Sequence, residues 1–235
     1  MRKNLLVPLG VIVFVGLLFL NPLQAGAITL IDETFNSATI WDHNDIDFTD
    51  SQASIGKWID AYDSTRTYNG KGWEVEAGGP TGKYAKHWVD ASRGHNVLMY
   101  GVDLTDLPAR RFWLDFDYVA TNNFNPIVAL RVISDGQHEL GPSTWFPIVN
   151  PDDQNVFLAE KLDKTDDNWL HASFQGYIPF DYDVLQFGIN GVGNQGLKGI
   201  DNVKLTAVPE PATIFLLGSG LIGLVGFSRR KIFKK

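Results

Sequence analysis

Through most of the middle of the chain, apolar and polar positions alternate. In Arg111–Val119 (RFWLDFDYV), Phe112, Leu114, Phe116 and Tyr118 share one face, while Trp113, Asp115 and Asp117 share the other. A period of two is that of a strand with one buried face. Trp169–Gln175 places Leu170, Ala172 and Phe174 inward, and Val184–Asn190 does the same with Leu185, Phe187 and Ile189. Ile127–Ser134 is apolar and β-branched on both faces, which predicts a strand covered on both sides. Gly199–Thr206 closes the series, and shorter strands are predicted at Ile28–Phe35, Trp73–Ala77, Lys83–Val89, Asn96–Tyr100 and Val156–Glu160. Turn-forming clusters separate them, among them Asn69-Gly70, Gly78-Gly79-Pro80, Asp135-Gly136 and Asn150-Pro151-Asp152-Asp153. No helical period appears between the ends. The pattern predicts an all-β domain of about ten strands, a β-sandwich or jelly roll.

The two ends follow another logic. Arg2 and Lys3 precede an uncharged, mostly apolar run from Leu5 to Leu20. Asn21 and Pro22 break it, and Ala25-Gly26-Ala27 supplies the small-x-small site of a signal peptidase. Residues 1–27 are therefore predicted to be a helical signal peptide, handled by the Sec translocon and cleaved after Ala27, or after Ala25. At the other end, Thr213–Phe227 is fifteen residues without charge, four of them Gly. That is shorter than the ~20 residues of a comfortable span. Its nine Leu, Ile, Val and Phe residues contribute roughly −3 to −5 kcal/mol to insertion before the glycines subtract. A single transmembrane helix at about 212–228 is predicted, weakly held. Five basic residues in the last eight keep the tail cytoplasmic and the main domain outside.

Pro209-Glu210-Pro211, the short Gly- and Leu-rich helix and the basic terminus, in that order, resemble a PEP-CTERM sorting signal. The resemblance covers residues 208–235. It implies that an exosortase reads Pro209, Glu210 and Pro211 and removes the helix, in a Gram-negative bacterium that makes extracellular polysaccharide. The protein would then pass from the inner membrane to the cell surface or matrix. The local chemistry agrees, because two prolines fix φ and remove two backbone donors, leaving an extended, accessible segment.

Residues 28–207 remain as the exported domain. Over 28–208 lie 26 of the 27 acidic residues and 13 of the 20 basic ones, a net charge of −13. So acidic a domain is no partner for nucleic acid or an anionic membrane surface. The chain has no Cys, which excludes disulfides, thiol catalysis and thiolate metal sites. Gly191-Val192-Gly193-Asn194-Gln195-Gly196 has the G-x-G-x-x-G spacing, but a strand follows it where a dinucleotide site needs a helix. It reads as a loop between strands.

Ile31-Asp32-Glu33-Thr34-Phe35-Asn36 and Gly199-Ile200-Asp201-Asn202-Val203-Lys204-Leu205 resemble the first and last strands of carbohydrate-binding jelly rolls, and lectin-like sandwiches share this look. In several such domains a structural Ca²⁺ joins the two ends. The resemblance implies Asp32, Glu33 and Asp201 as candidate ligands. Strict alternation also places Asp201 inward with Val203 and Leu205, where a buried carboxylate needs a partner. That partner is Ca²⁺, an arginine or backbone amides. Acid-rich stretches at 42–50 and 163–167 lack the EF-hand arrangement.

Asp115 and Asp117 share a strand face, as the two carboxylates of a glycosidase can. The Glu-rich pattern of lectin-like glycosidases is missing, so a polar face with Trp113 at its edge is the simpler reading. An aromatic ring packs against the apolar face of a sugar. Trp145, between Pro142 and Pro147, joins Trp113, Asp115 and Asp117 as a candidate glycan contact. The sequence thus points to an exported, exosortase-sorted surface or matrix protein, associated with exopolysaccharide through a non-catalytic sandwich. A secreted glycan-cleaving enzyme and a purely structural module are the alternatives.

Overall fold

The computed structural model describes residues 26–42, 54–61, 72–87, 95–107, 110–121, 125–134, 156–179, 182–192 and 197–208. The chain divides into a unit spanning Ile28–Ala207 and a second made of Met1–Ala27 and Val208–Lys235. Nearly all of the second unit falls outside the described residues. So do the two terminal helices expected from the sequence, Ala25, Pro209, Glu210, Pro211 and Trp145. Ala27 is exposed, one residue before the first strand.

The described residues hold β-strands and no helix. In chain order they are β1 (Ile28–Glu33), β2 (Ile40–Asp42), β3 (Trp58–Ala61), β4 (Trp73–Gly79), β5 (Gly82–His87), β6 (His95–Asp103), β7 (Arg111–Ala120), β8 (Ile127–Ile133), β9 (Val156–Lys161), β10 (Leu170–Tyr177), β11 (Val184–Val192) and β12 (Leu197–Val208). The first sheet runs β10-β7-β12-β5-β4, with β1 also pairing β12; the second runs β2-β3-β6-β11-β8-β9. The fold is all-β, a two-sheet sandwich of strands distant in sequence, as the alternation implied.

The sandwich core forms where the inward rows meet. Phe112, Leu114, Phe116 and Tyr118 of β7 are buried, and face Leu185, Phe187 and Ile189 of β11 and Val128, Leu130 and Val132 of β8. Phe116 and Phe187 cross edge to face at 6.1 Å between ring centroids. Burying one such ring contributes about 1.5–3 kcal/mol. Strand β8 is buried on both faces, as its composition predicted. A second apolar cluster of Ile59, Ala61, Val97, Met99, Ile127 and Ala129 explains this, because it lies on the other side of the second sheet.

Two strands were not legible. Strand β3 is buried at all four positions, so it shows no alternation, and β2 is three residues long. Asp60 of β3 is buried and accepts hydrogen bonds from the Gly72 and Trp73 amides at 2.5 and 3.1 Å, which holds the start of β4 against β3. Leu170 is the one inward position of β10 that departs from expectation. It pairs with Tyr118 but sits at the strand end, 40% exposed.

Strand β12 departs from strict alternation in a way that matters for the site. Ile200 pairs with Ala85 of β5, and both enter the core; Val203 and Leu205 pair with β1 and also enter the core. Ile200 and Val203 are three apart, so the in/out order slips by one across Asp201-Asn202. Asn202 absorbs the slip with a left-handed backbone, φ 53°. Asn tolerates that region better than most residues. At this slip β12 exchanges one edge partner, β5, for another, β1.

Candidate binding face

The outer face of the first sheet is built by the polar half of the β7 alternation. Arg111, Trp113, Asp115 and Asp117 stand in register with Tyr177, Gln175, Ser173 and His171 of β10. Six steps of ~3.3 Å from Arg111 to Asp117 make this a double row about 20 Å long. Tyr177 is 59% exposed, and the Asp115 side chain 38%. The Arg111 guanidinium lies over the Trp113 ring, 4.9 Å from its centroid, and reaches Gln175 Oε1 at 3.4 Å.

At the far end of the row the polar groups interlock. His171 Nδ1 lies 2.9 Å from Asp117 Oδ1, and its Nε2 lies 3.6 Å from Asp115 Oδ1. The register dictates this: His171 stands directly opposite Asp117, and Asp115 is the next outward residue. Asn202 Nδ2 donates to Asp117 Oδ2 at 2.6 Å. Both Asp117 oxygens are therefore engaged, while among the described residues Asp115 meets only the edge of the imidazole ring.

Beyond β12, Tyr84 of β5 and Trp169 cross edge to face, 5.3 Å between centroids. Strands β5 and β10 are three ladder steps, ~14 Å, apart. The Trp169 and Tyr84 side chains thus meet across the strands that lie between β10 and β5. Tyr84 lies directly on Gly199, where a Cβ would come within 2.5 Å of its ring. Burial, reinforced by the Glu76 charge, holds the Tyr84 hydroxyl above its usual pKa.

The three candidate calcium ligands are not brought together. Asp32 and Glu33 are consecutive in β1 and so face opposite sides. Asp32 is exposed opposite Lys204, whereas Glu33 stands opposite Val203 and accepts the Phe35 amide at 2.7 Å. Asp201 is fully buried, and its partners are hydrogen-bond donors. Thr81 donates its amide at 3.1 Å and its hydroxyl at 2.9 Å to Oδ2, and the Asn202 amide donates to Oδ1 at 2.8 Å. Backbone amides, one of the partners weighed from sequence, thus supply two of its three bonds. Among the described residues no three His, Asp or Glu side chains gather where they would hold a metal ion, and the Asp201 carboxylate is met by protein donors instead.

The 163–167 acids form a turn rather than a ligand loop. Asp166 and Asp167 adopt left-handed backbone, φ 50° and 64°. Buried Thr165 anchors the turn by exchanging hydrogen bonds with both backbone groups of Ala120, at 2.9 Å each. Asp167 pairs with Lys198 at 2.6 Å.

Trp113, Asp115 and Asp117 share the outer face, as the alternation predicted. His171 and Asn202 complete the cluster and were not singled out from sequence. Their only signal was position: His171 is outward if Leu170, Ala172 and Phe174 are inward. Trp41 on β2 was missed as an exposed tryptophan; it is 42% exposed with Lys57 Nζ 5.6 Å from its ring.

Residues 207–231 match the family described as the PEP-CTERM protein-sorting motif. The chain carries an exosortase sorting signal. A PEP-CTERM protein is an exported one, with a C-terminal membrane-anchoring sorting segment. No curated protein matches the sequence. Among solved structures, the chain is similar to a putative sugar binding protein from Bacteroides thetaiotaomicron, at 13% identity over 76% of this chain and 99% of that one, TM-score 0.48. It is similar to the CBM22-1 xylan-binding domain of Xyn10C from Paenibacillus barcinonensis, at 13% identity over 79% and 98%, TM-score 0.39. It is also similar to part of the enzymatically active domain of bacteriophage CBA120 tailspike protein 4, at 13% identity, TM-score 0.40. That match covers 63% of this chain but only 21% of the tailspike domain.

Proposed function

We propose that this PEP-CTERM protein is processed by an exosortase at the inner membrane of a Gram-negative bacterium. It then resides at the cell surface or in the extracellular matrix, holding exopolysaccharide on the outer face of its first sheet without cleaving it. The observation that carries this reading is the double row of β7 and β10, with Trp113 beside Asp115, Asp117, Ser173, Gln175 and His171. A flat, rigid row of hydroxyl-binding groups next to an indole suits a sugar chain, which presents hydroxyls at its edges and C–H groups on its faces. Strand-borne side chains also keep their spacing better than loop residues do.

The arrangement favours binding over cleavage. Glycoside hydrolysis asks one carboxyl group to give a proton and the other to attack or activate water. Here one imidazole stands against both carboxylates, and Asp117 accepts hydrogen bonds at both oxygens.

Affinity electrophoresis tests the reading. The full chain in mild detergent is run through native gels containing hydroxyethylcellulose, xylan, galactomannan or alginate. At least one polymer is expected to retard it, and Trp113→Ala or Asp115→Asn to restore the mobility seen without polymer. Equal mobility of wild type in all gels, with and without polymer, refutes glycan binding. Release of reducing sugar from the retarding polymer, lost in Asp115→Asn, refutes the non-catalytic role.

A further inference from the structure

A chain of hydrogen bonds runs from the buried seam of the first sheet to its outer face, and Asn202 is its middle link. At the inner end, Asp201 takes the Thr81 amide and hydroxyl and the Asn202 amide. Thr81 belongs to the tight turn between β4 and β5. Asn36 grips the same turn: its Nδ2 donates to the Thr81 carbonyl at 3.3 Å, and its Oδ1 accepts the Lys83 amide at 3.1 Å. Gly82 beneath it has φ 129° and leaves no room for a Cβ, which would lie 2.7 Å from Asn36 Oδ1. At the outer end, Asn202 Nδ2 holds Asp117 Oδ2, and Asp117 Oδ1 holds His171 Nδ1.

We propose that Asn202 is the positioning residue of the binding face. Its left-handed backbone turns the amide side chain out of β12 and onto β7. Asp201 fixes that conformation from below by capturing the Asn202 N–H. Asp117 is thereby held from β12 on one side and from β10 on the other, and His171 is set against Asp115. Asn202 thus acts through Asp117 rather than by contact with sugar. This role rests on the glycan reading of the face.

The side chain and the backbone of Asn202 can be separated by substitution. Gly takes positive φ without cost but has no amide. In Asn202→Gly the melting temperature is expected to stay within about 2 °C of wild type. A crystal structure of this variant is expected to show Asp117 turned away from His171. Affinity for the retarding polymer among hydroxyethylcellulose, xylan, galactomannan and alginate is expected to fall about tenfold, a change of ~1.4 kcal/mol. Asn202→Asp keeps a residue tolerant of left-handed backbone but sets a second carboxylate against Asp117, and is expected to bind more weakly still. Asp117 unmoved in the Asn202→Gly crystal, or wild-type affinity in that variant, overturns the role of Asn202 and leaves the glycan reading intact. Wild-type protein unretarded by all four polymers overturns the glycan reading and the positioning role together.

Discussion

Acid should destabilise this fold through one imidazole. His87, at the end of β5, is 2% exposed, with its ring 4.9 Å from that of Trp73. Burial pushes its pKa down from 6.5 to about 4, against the opposing pull of a hydrogen bond to the Leu197 backbone. The folded protein thus keeps His87 neutral at pH values where the unfolded chain would protonate it. Between pH 6.5 and about 4 the unfolded state binds more protons, so stability falls as pH falls through this window and is flat above it. A separation of about 2.5 units at ~1.4 kcal/mol per unit gives about 3 kcal/mol lost by the bottom of the window. At roughly 2–4 °C per kcal/mol for a domain of this size, the melting temperature should drop by about 6–12 °C from this group alone. The assay is thermal unfolding followed by tryptophan fluorescence at pH 7.5, 6.5, 5.5 and 4.5, for wild type and His87→Gln. Gln retains an N–H donor for Leu197 and does not titrate. The carboxylates titrate in both proteins, so the difference between the two curves isolates His87. Parallel pH dependences would refute the argument.

Further expectations concern other sites. Asp201→Asn places an N–H₂ group against donors from Thr81 and Asn202, and should cost about 1–3 kcal/mol in urea unfolding. Because Asp201 is satisfied by protein donors, the wild-type melting temperature should be the same with and without chelator; a chelator-induced drop of several degrees would show that a cation is bound. Thr165→Val removes the hydroxyl that serves both backbone groups of Ala120, and should cost about 1–3 kcal/mol by the same measurement, with binding to polysaccharide unchanged. Glu210→Ala or Pro211→Ala should leave full-length protein in the membrane fraction on immunoblots, whereas wild type appears as a shorter, released form.

The sandwich was legible wherever one face of a strand is buried and the other wet. Arg111–Val119 is the clearest case, because Phe112, Leu114 and Phe116 fill the core while Trp113, Asp115 and Asp117 stay outside. The signal disappears where both faces are covered, as in β3, whose Trp-Ile-Asp-Ala carries no period. Alternation also fails where a strand slips. Strict parity placed Asp201 inward for the right outcome and an incomplete reason: the carboxylate is buried at a seam between two edge partners, beside a left-handed residue. Nothing in Ile-Asp-Asn-Val announces that slip. The cluster at His171 depends on the register of β10 against β7, which links residues 54 positions apart and leaves no local trace.

The order of strands in the first sheet also sets a mechanical path. Strand β12 leads straight into the sorting motif, and its ladder neighbour on one side is β7, which carries Trp113, Asp115 and Asp117. On the proposed glycan reading, tension on a polysaccharide held at β7 would pass to β12 through a single inter-strand ladder. Pulling along two adjacent strands from opposite directions loads all their hydrogen bonds in parallel, as shear, instead of peeling them one after another. Strand β1, paired with the same β12 on its other edge, adds a second ladder that must slide before β12 can be drawn out. Strand β12, which runs into the sorting motif, is therefore paired on both edges, and a pull along it would have to shear both ladders.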